Sequence, residues 1–381
     1  LIRSRGLGDV YKRQDKSSMV LGFMIATAFL SAFLSNTSTS IMMLPIGIAI
    51  ISQVSSSKKN KESNFGKVLM LGIAYSASIG GFSTLYGTPP NLILKSNIEQ
   101  FFNYTLDFDY WFMMALPLSI LLLFICWYYL VNFTFTLSKN ENISRDQIRV
   151  KLNSLGKIKY EEVVVLLIFI GFVFSLLLKS KLQLIFNSID DTIIAIFFAI
   201  LLFILNTQNR NHKILNWKDS HKIPWDIILL FGGGLSLAAA MQGSGLTLWI
   251  GEKLLGLNNI SLILIILTIV FSVNFLTEIT SNLATVSMIL PVLASLSISL
   301  GLHPFVIMVS ATIAASCAFM LPVATPPNAV VFGSGFLKIK DMVKTGIVMN
   351  LISIILVSLY VYYIIPIIWD IDLTVFPEGF K

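Results

Sequence analysis

SNTSTSIMMLP at residues 35–45 returns as SNLATVSMILP at 281–291, with six of eleven positions identical. Both copies interrupt long apolar stretches, where a Ser-Asn pair is costly to bury without partners. One isolated break of this kind reads as a kink whose Ser and Asn hydrogen-bond to a neighbouring helix. Two matched copies, 246 residues apart, point instead to an internal repeat built around the break.

The rest of the chain sets the context. Of its 381 residues, 55% are hydrophobic and only 12% charged, too few to cover a soluble surface. Apolar runs of about 18 or more residues recur along its length, each long enough to cross a hydrocarbon layer. The fold class expected is an all-α polytopic membrane protein; a membrane β-barrel would show alternating segments of about ten residues instead. Cys126 and Cys317 lie alone in separate apolar segments and read as small buried hydrophobes. His212, His221 and His303 fall near expected membrane boundaries, without partners at metal-ligand spacing. Residues 1–14, LIRSRGLGDVYKRQ, resemble the translation of a transposase adapter used in sequencing-library preparation. They are set aside as non-native, which removes four of the 27 basic residues from the formal charge of +7. The native chain is expected to extend further at its N-terminus.

Apolar runs and polar breaks divide the remainder. A first-repeat part, 15–137, holds an interrupted stretch at 17–52, a Gly- and Pro-rich broken helix at 68–94 and a span at 110–137. A charged cytoplasmic linker follows at 138–162, and scaffold spans occupy 163–250. A second-repeat part, 259–367, holds an interrupted stretch at 259–300, a broken helix at 304–335 and a span at 343–367. If each interrupted stretch turns back as a re-entrant hairpin, loops 52–67, 138–160, 208–222 and 338–344 share one side and carry 17 Lys/Arg. The opposite segments, 95–109, 179–188, 251–258 and 370–381, carry five, so the first set is cytoplasmic. Single crossings would destroy that asymmetry. The hairpins then approach the midplane from opposite faces, which is an inverted repeat.

The repeat extends past the Ser-Asn pair. GTPPN at 87–91 is answered by ATPPN at 324–328, and a hydroxyl precedes each Ser by four residues, Ser31 and Thr277. The distance from Ser to the TPPN threonine is 53 residues in one half and 44 in the other, so order is kept while loop length varies. Helix breaks inside a membrane survive where they line a cavity or hold something polar. Unpaired carbonyls with Ser, Thr and Asn oxygens suit a small hard cation such as Na⁺. The N-termini of the half-helices beyond each break present N–H groups to an anion. Proline pairs stop the helix and leave carbonyls exposed.

With these motifs the chain resembles the divalent anion/sodium symporters, which carry dicarboxylates, citrate or sulfate. The resemblance rests on SNT at 35–37, SNL at 281–283, GTPPN, ATPPN, LLFGGGL at 229–235 and TEITSN at 277–282, and covers residue 15 to about 367. It implies one sodium site at Ser31, Ser35, Asn36 and the Gly87 carbonyl, and a second at Thr277, Ser281, Asn282 and the Ala324 carbonyl. The anion would touch Asn36, Thr37, Ser281 and Asn282, with Thr88 and Pro326 nearby. It further implies a homodimer in the lipid bilayer and an elevator motion of both hairpins and broken helices against the scaffold. The chain departs from the family at Leu283, where the second motif lacks its threonine hydroxyl.

Other features have plainer readings. Glu278 is an acid deep in an apolar run, either a structural anchor at the hairpin or a proton relay. Asp226, Glu161, Glu162, Asp190 and Asp191 lie near span ends, as solvated faces or interface anchors. Gly232–Gly234 lack the Lys-Ser/Thr of a phosphate loop and read as close helix packing. The linker 138–160 reads as an amphipathic segment at the headgroups. An enzyme would need a nucleophile with a base or a metal cluster, and the spans supply neither. The function expected is sodium-coupled symport of a C4-dicarboxylate such as succinate across the plasma (inner) membrane, with Na⁺ as coupling ion, no cofactor and no nucleic-acid partner. Sodium-independent exchange, sulfate or citrate symport and, from a different class, an anion channel stay open.

Overall fold

The computed structural model describes residues 13–14, 16–54, 64–135, 143–144, 158–186, 188–208, 212–222, 225–246, 249 and 260–380. The amphipathic segment expected at 138–160 lies almost wholly outside the described residues, as does the 251–258 loop. Apart from a two-residue antiparallel pairing of Arg13–Gln14 with Ile143–Ser144, the described elements are helical. The chain separates into two compact units, one of residues 1–106, 110–147 and 229–381, the other of residues 107–109 and 148–228.

In the first unit the repeat is visible helix by helix. α1 (Lys16–Ser31) and α2 (Asn36–Val54) are followed by α3 (Asn64–Phe82), α4 (Pro89–Phe102) and α5 (Phe108–Tyr129). The corresponding helices, numbered after those of the second unit, are α10 (Leu262–Thr277), α11 (Asn282–Leu300), α12 (Pro304–Ser316), α13 (Pro326–Gly333) and α14 (Ile339–Tyr363). α1 and α10 have 16 residues each, and α2 and α11 have 19 each. Pro45 and Pro291 fall at the same position inside α2 and α11.

α3 and α12 are the most enclosed elements. All thirteen residues of α12 are buried, and nearly every residue of α3 is as well. Burial on all sides needs small contact residues: a Cβ on Gly80 would overlap the Ala28 backbone of α1, so the two helices meet backbone to backbone. Each half also packs on the other. α13 lies on α2 and α3, while α4 lies on α11 and α12. Cys126 and Cys317 are buried thiols among these apolar contacts. His303 accepts from Phe305 N–H at 3.2 Å in the α11–α12 turn, where burial pushes its pKa down to about 4 and keeps the ring neutral.

The second unit contains α6 (Tyr160–Leu177), the short α7 (Lys179–Gln183) and α8 (Asp191–Ile204). α6 and α8 pack on each other and expose large apolar side chains such as Leu167, Phe174 and Phe197, a surface suited to hydrocarbon. Polar groups gather at their ends: Glu162 accepts from Lys159 N–H, Glu161 from Gln208 N–H, and Asp190 caps α8 through Ile193 N–H. Asp191 instead is buried, and Lys179, 5% exposed, lies 3.1 Å from it and 2.5 Å from Asp107. Burial alone would lower the Lys179 pKa, yet the two carboxylates outweigh it and the net direction is upward. α9 (Trp225–Gly243), expected among the scaffold spans 163–250, clusters from Leu229 onward with the first unit. There a Cβ on Gly234 would meet Ser287 of α11 at 2.9 Å, whereas Gly232 and Gly233 face open space. The side chain of Asp226 lies outside the described residues.

Five helical stretches among the described residues are long and apolar enough to cross a membrane: Asn64–Phe82, Phe108–Thr134, Tyr160–Leu177, Asn282–Leu300 and Ile339–Trp369. Lys179→Met strands the buried Asp191 carboxylate and is expected to cost about 3–5 kcal/mol. Thermal unfolding in detergent checks this, with Lys179→Met/Asp191→Leu recovering most of the loss.

Candidate functional site

The first break follows from local chemistry. α1 ends at Ser31, and Ser35 restarts the chain as N-cap of α2, its Oγ accepting from Ser38 N–H at 3.2 Å. That places Asn36 in the first helical turn with its side chain turned back toward α1. Ser31 Oγ then lies 2.8 Å from Asn36 Oδ1 and 2.6 Å from the Ala77 carbonyl of α3. The hydroxyl has one hydrogen and satisfies one of these acceptors, so three oxygens converge with a single proton among them. Two glycines make room. A Cβ on Gly81 would overlap Asn36 Oδ1, and one on Gly87 would overlap Gly81 O and lie 2.8 and 2.9 Å from Ala32 O and Ser31 O. Thr84 closes the loop: its Oγ1 donates to Ala32 O and accepts from Gly87 N–H at 3.0 Å.

The second break repeats the arrangement with different atoms. Ser281 caps α11, accepting from Ala284 N–H at 3.2 Å, and Asn282 takes the first turn. Thr277 Oγ1 lies 2.7 Å from Asn282 Oδ1 and 3.3 Å from the Ala315 carbonyl of α12. Ser31 and Thr277 are both fully buried. The segment between α12 and α13, 317–325, is held from several directions. Glu278 accepts from Phe319, Met320 and Leu321 N–H at 2.8, 2.9 and 2.9 Å, and from Asn350 Nδ2 at 2.7 Å. Asn274 Nδ2 donates to Cys317 O at 2.7 Å.

The two TPPN motifs hold matching places, though only Thr325 caps through its side chain. Thr88 and Thr325 are the N-caps of α4 and α13, followed by prolines that need no N–H partner. The motif asparagines reach back across their breaks: Asn91 Nδ2 to Thr84 O at 2.7 Å, and Asn328 Nδ2 to Leu321 O at 3.0 Å. Each cradle is thus an oxygen-rich recess beside a helix N-terminus. The electrostatics favour a cation among the carbonyls and an anion at the N–H groups.

Of the residues singled out on the sequence, Ser31, Asn36 and the region of Gly87 meet in one cradle, and Thr277 meets Asn282 in the other. Ser35 and Ser281 spend their hydroxyls on capping and stand partly or fully exposed. Thr37 is half-buried in the first turn of α2, with Leu283 at the equivalent place in α11. Thr88 is buried at a cap, Pro326 is exposed at the start of α13, and Ala324 is buried two residues before it. Sequence reading assigned no role to Ala77, Gly81, Thr84, Asn91, Ala315 or Asn328. The asparagine ending both TPPN motifs was the one available signal. Glu278 takes the anchoring one of its two expected roles, in its contacts with backbone amides. A cavity of 560 Å³ lined by Leu262, Tyr362, Asp370 and Asp372 touches none of these residues.

Comparison with known proteins gives four matches. The family model described as the sodium:sulfate symporter transmembrane region matches residues 11–369, beginning inside the segment set aside on the sequence. The sodium-dependent dicarboxylate transporter SdcS of Staphylococcus aureus (strain USA300) is 46% identical, over 94% of this chain and 71% of its own length. SdcS of Staphylococcus saprophyticus is 43% identical, over 93% of this chain and 71% of its own. Among solved structures, MtrF of Neisseria gonorrhoeae, from a class of antimetabolite efflux pumps, aligns with TM-score 0.53 over 91% of this chain and 80% of that one. At 12% identity this is a likeness of fold alone.

Gly81→Ala is expected to displace Asn36 Oδ1 and to remove the first cradle's share of the rise in melting temperature expected on adding Na⁺. At Na⁺ 100-fold above its Kd that rise corresponds to about 2.7 kcal/mol. Gly232→Ala, which meets no atom within 4 Å, is expected to keep it.

Proposed function

The chain belongs to the sodium:sulfate symporter family, and on that premise we propose that it carries a C4-dicarboxylate such as succinate together with Na⁺ across the plasma membrane. It is a multi-pass transporter rather than an enzyme. The observation that carries the reading is the pair of cradles, each a hydroxyl, a side-chain amide oxygen and a backbone carbonyl converging on one hydrogen. A bound Na⁺ would satisfy the surplus lone pairs in both. The name of the relatives at 43–46% identity favours a dicarboxylate among the family's anions.

Na⁺ is assigned to Ser31, Asn36 and carbonyls near Gly87 in one half, and to Thr277, Asn282 and carbonyls near Ala324 in the other. Ser35 and Ser281 contribute by capping the helices that carry the asparagines. The anion is assigned to the first-turn N–H groups of α2 and α11, with Asn36, Thr37 and Asn282 beside it and Thr88 and Pro326 at the neighbouring helix starts. α1 and α10, 16 residues and therefore about 24 Å long, fall short of a hydrocarbon layer of about 30 Å. That length supports re-entrant hairpins, and the 17-to-5 division of basic residues supports their inverted orientation. Alternating access would proceed as an elevator movement of the paired repeats, in a homodimer.

Energetics require coupling. Bringing a dianion into an inside-negative cell costs roughly 2.3 kcal/mol per charge per 100 mV, so Na⁺ must accompany it to offset that cost. Sulfate is the second reading, favoured by Leu283, which removes a hydroxyl where a second carboxylate would be received.

Succinate uptake into proteoliposomes is expected under an inward Na⁺ gradient and absent with K⁺. Equal uptake in both salts, rising with succinate loaded inside, would mean exchange and overturn the sodium assignment. Asn36→Ala and Asn282→Ala are each expected to reduce coupled uptake at least tenfold. Leu283→Thr is expected to lower the succinate KM by about tenfold or more, the worth of a hydrogen bond to a charged group; an unchanged KM alongside strong sulfate competition would favour sulfate.

A further inference from the structure

The two cradles are joined by a buried polar connection that symmetry does not require. Tyr75 of α3, in the first half, donates its hydroxyl to the Phe319 carbonyl in the second at 2.8 Å, with the two rings 4.8 Å apart. Two residues along α3, Ala77 O is part of the first cradle. On the far side, Phe319 N–H is shared between Glu278 and Asn350 Oδ1, and Glu278 directly follows Thr277 of the second cradle. Tyr75, Phe319, Asn350 and Glu278 are all buried to 2% exposure or less. A Cβ on Gly346 of α14 would overlap Phe319 O, so a third helix closes on the same carbonyl.

The position that matches Glu278 in the first half is Ala32, whose carbonyl accepts from Thr84. The first break is therefore held by neutral hydroxyl and amide groups, the second by a carboxylate. Three successive N–H groups wrapped around that carboxylate form an anion-holding nest. Displacing it would leave the Met320 and Leu321 amides without their carboxylate partner and the Phe319 amide with Asn350 alone. The segment Phe319–Leu321 is thus clamped from α10, α14 and, through Tyr75, from the other half of the molecule.

We propose that Tyr75 and Glu278 are positioning residues which fix Phe319–Leu321 between the two cradles, so that filling one cradle with Na⁺ raises the affinity of the other. This rests on the assignment of Na⁺ to both cradles. The coupling is reciprocal by linkage, each cradle changing the other's affinity by the same factor. Neither residue contacts the ions; both act through the carbonyls and the asparagine that do.

The test is Na⁺ binding to the purified chain in detergent, read as the melting temperature against Na⁺ concentration with choline as the balancing cation. Na⁺ activation of succinate uptake in proteoliposomes is measured in parallel. The unmodified chain is expected to give a sigmoidal dependence. Tyr75→Phe keeps the ring against Phe319 and removes only the hydroxyl. It is expected to bring the Hill coefficient toward one and raise half-saturating Na⁺ about fivefold or more. Glu278→Gln is expected to do the same and more strongly, with partial recovery in Glu278→Asp. A Tyr75→Phe protein with an unchanged Hill coefficient and half-saturation would overturn the coupling while leaving the sodium sites standing. An unmodified chain indifferent to Na⁺ would overturn the sodium assignment itself, and the coupling with it.

Discussion

Backbone N–H and C=O groups released inside an apolar layer have no water to bond, and every one of them must find a partner within the protein. The architecture here is organised by that requirement. Among the described residues of the two repeats, breaks follow Ser31, Phe82, Thr277 and Ser316, and each is accompanied by side chains that absorb what the helix lets go. Ser35 and Ser281 take amides at helix starts, Asn91 and Asn328 take carbonyls, Thr84 takes one of each, and Glu278 takes three amides in a row. What remains after this accounting is a small surplus of oxygen lone pairs at Ser31–Asn36–Ala77 and at Thr277–Asn282–Ala315. Oxygen lone pairs in such surplus suit a small hard cation.

The repeats differ in how they meet the same demand. The first uses glycines: Gly80, Gly81 and Gly87 let backbones and Asn36 approach more closely than any side chain would allow. The second replaces Gly87 with Ala324, lengthens the break to 317–325 and brings in a buried carboxylate to hold it. One half is shaped by close packing and the other by charge. The rigidity of each cradle is therefore set by different forces.

The interlocking of α4 with α11 and of α13 with α2 explains why the halves form one unit. Neither half could bury its own broken helix, because the faces of α4 and α13 beyond the prolines are covered by the partner repeat. Lys179 with Asp107 and Asp191 shows a different solution in the second unit, where an ion cluster rather than backbone satisfaction holds helix ends together.

Much of this was legible in the chain alone. The membrane class follows from apolar run length, and the repeat from SNT, SNL and the two TPPN motifs. Ser31 and Thr277, four residues before each Ser, lie one turn from the break by helix geometry, and the structure brings both to their asparagines. Those are local properties, readable because helix periodicity and proline stereochemistry act over a few residues. Tertiary structure alone decided which distant carbonyl completes each cradle, Ala77 or Ala315. It alone decided that Glu278 faces the amides of Phe319–Leu321, some forty residues away, and that Tyr75 reaches across the repeats. An alanine carbonyl has no signature in sequence, and a buried carboxylate announces a cost without naming its partner. Both acquire their roles only when helices pack closely enough to exclude water.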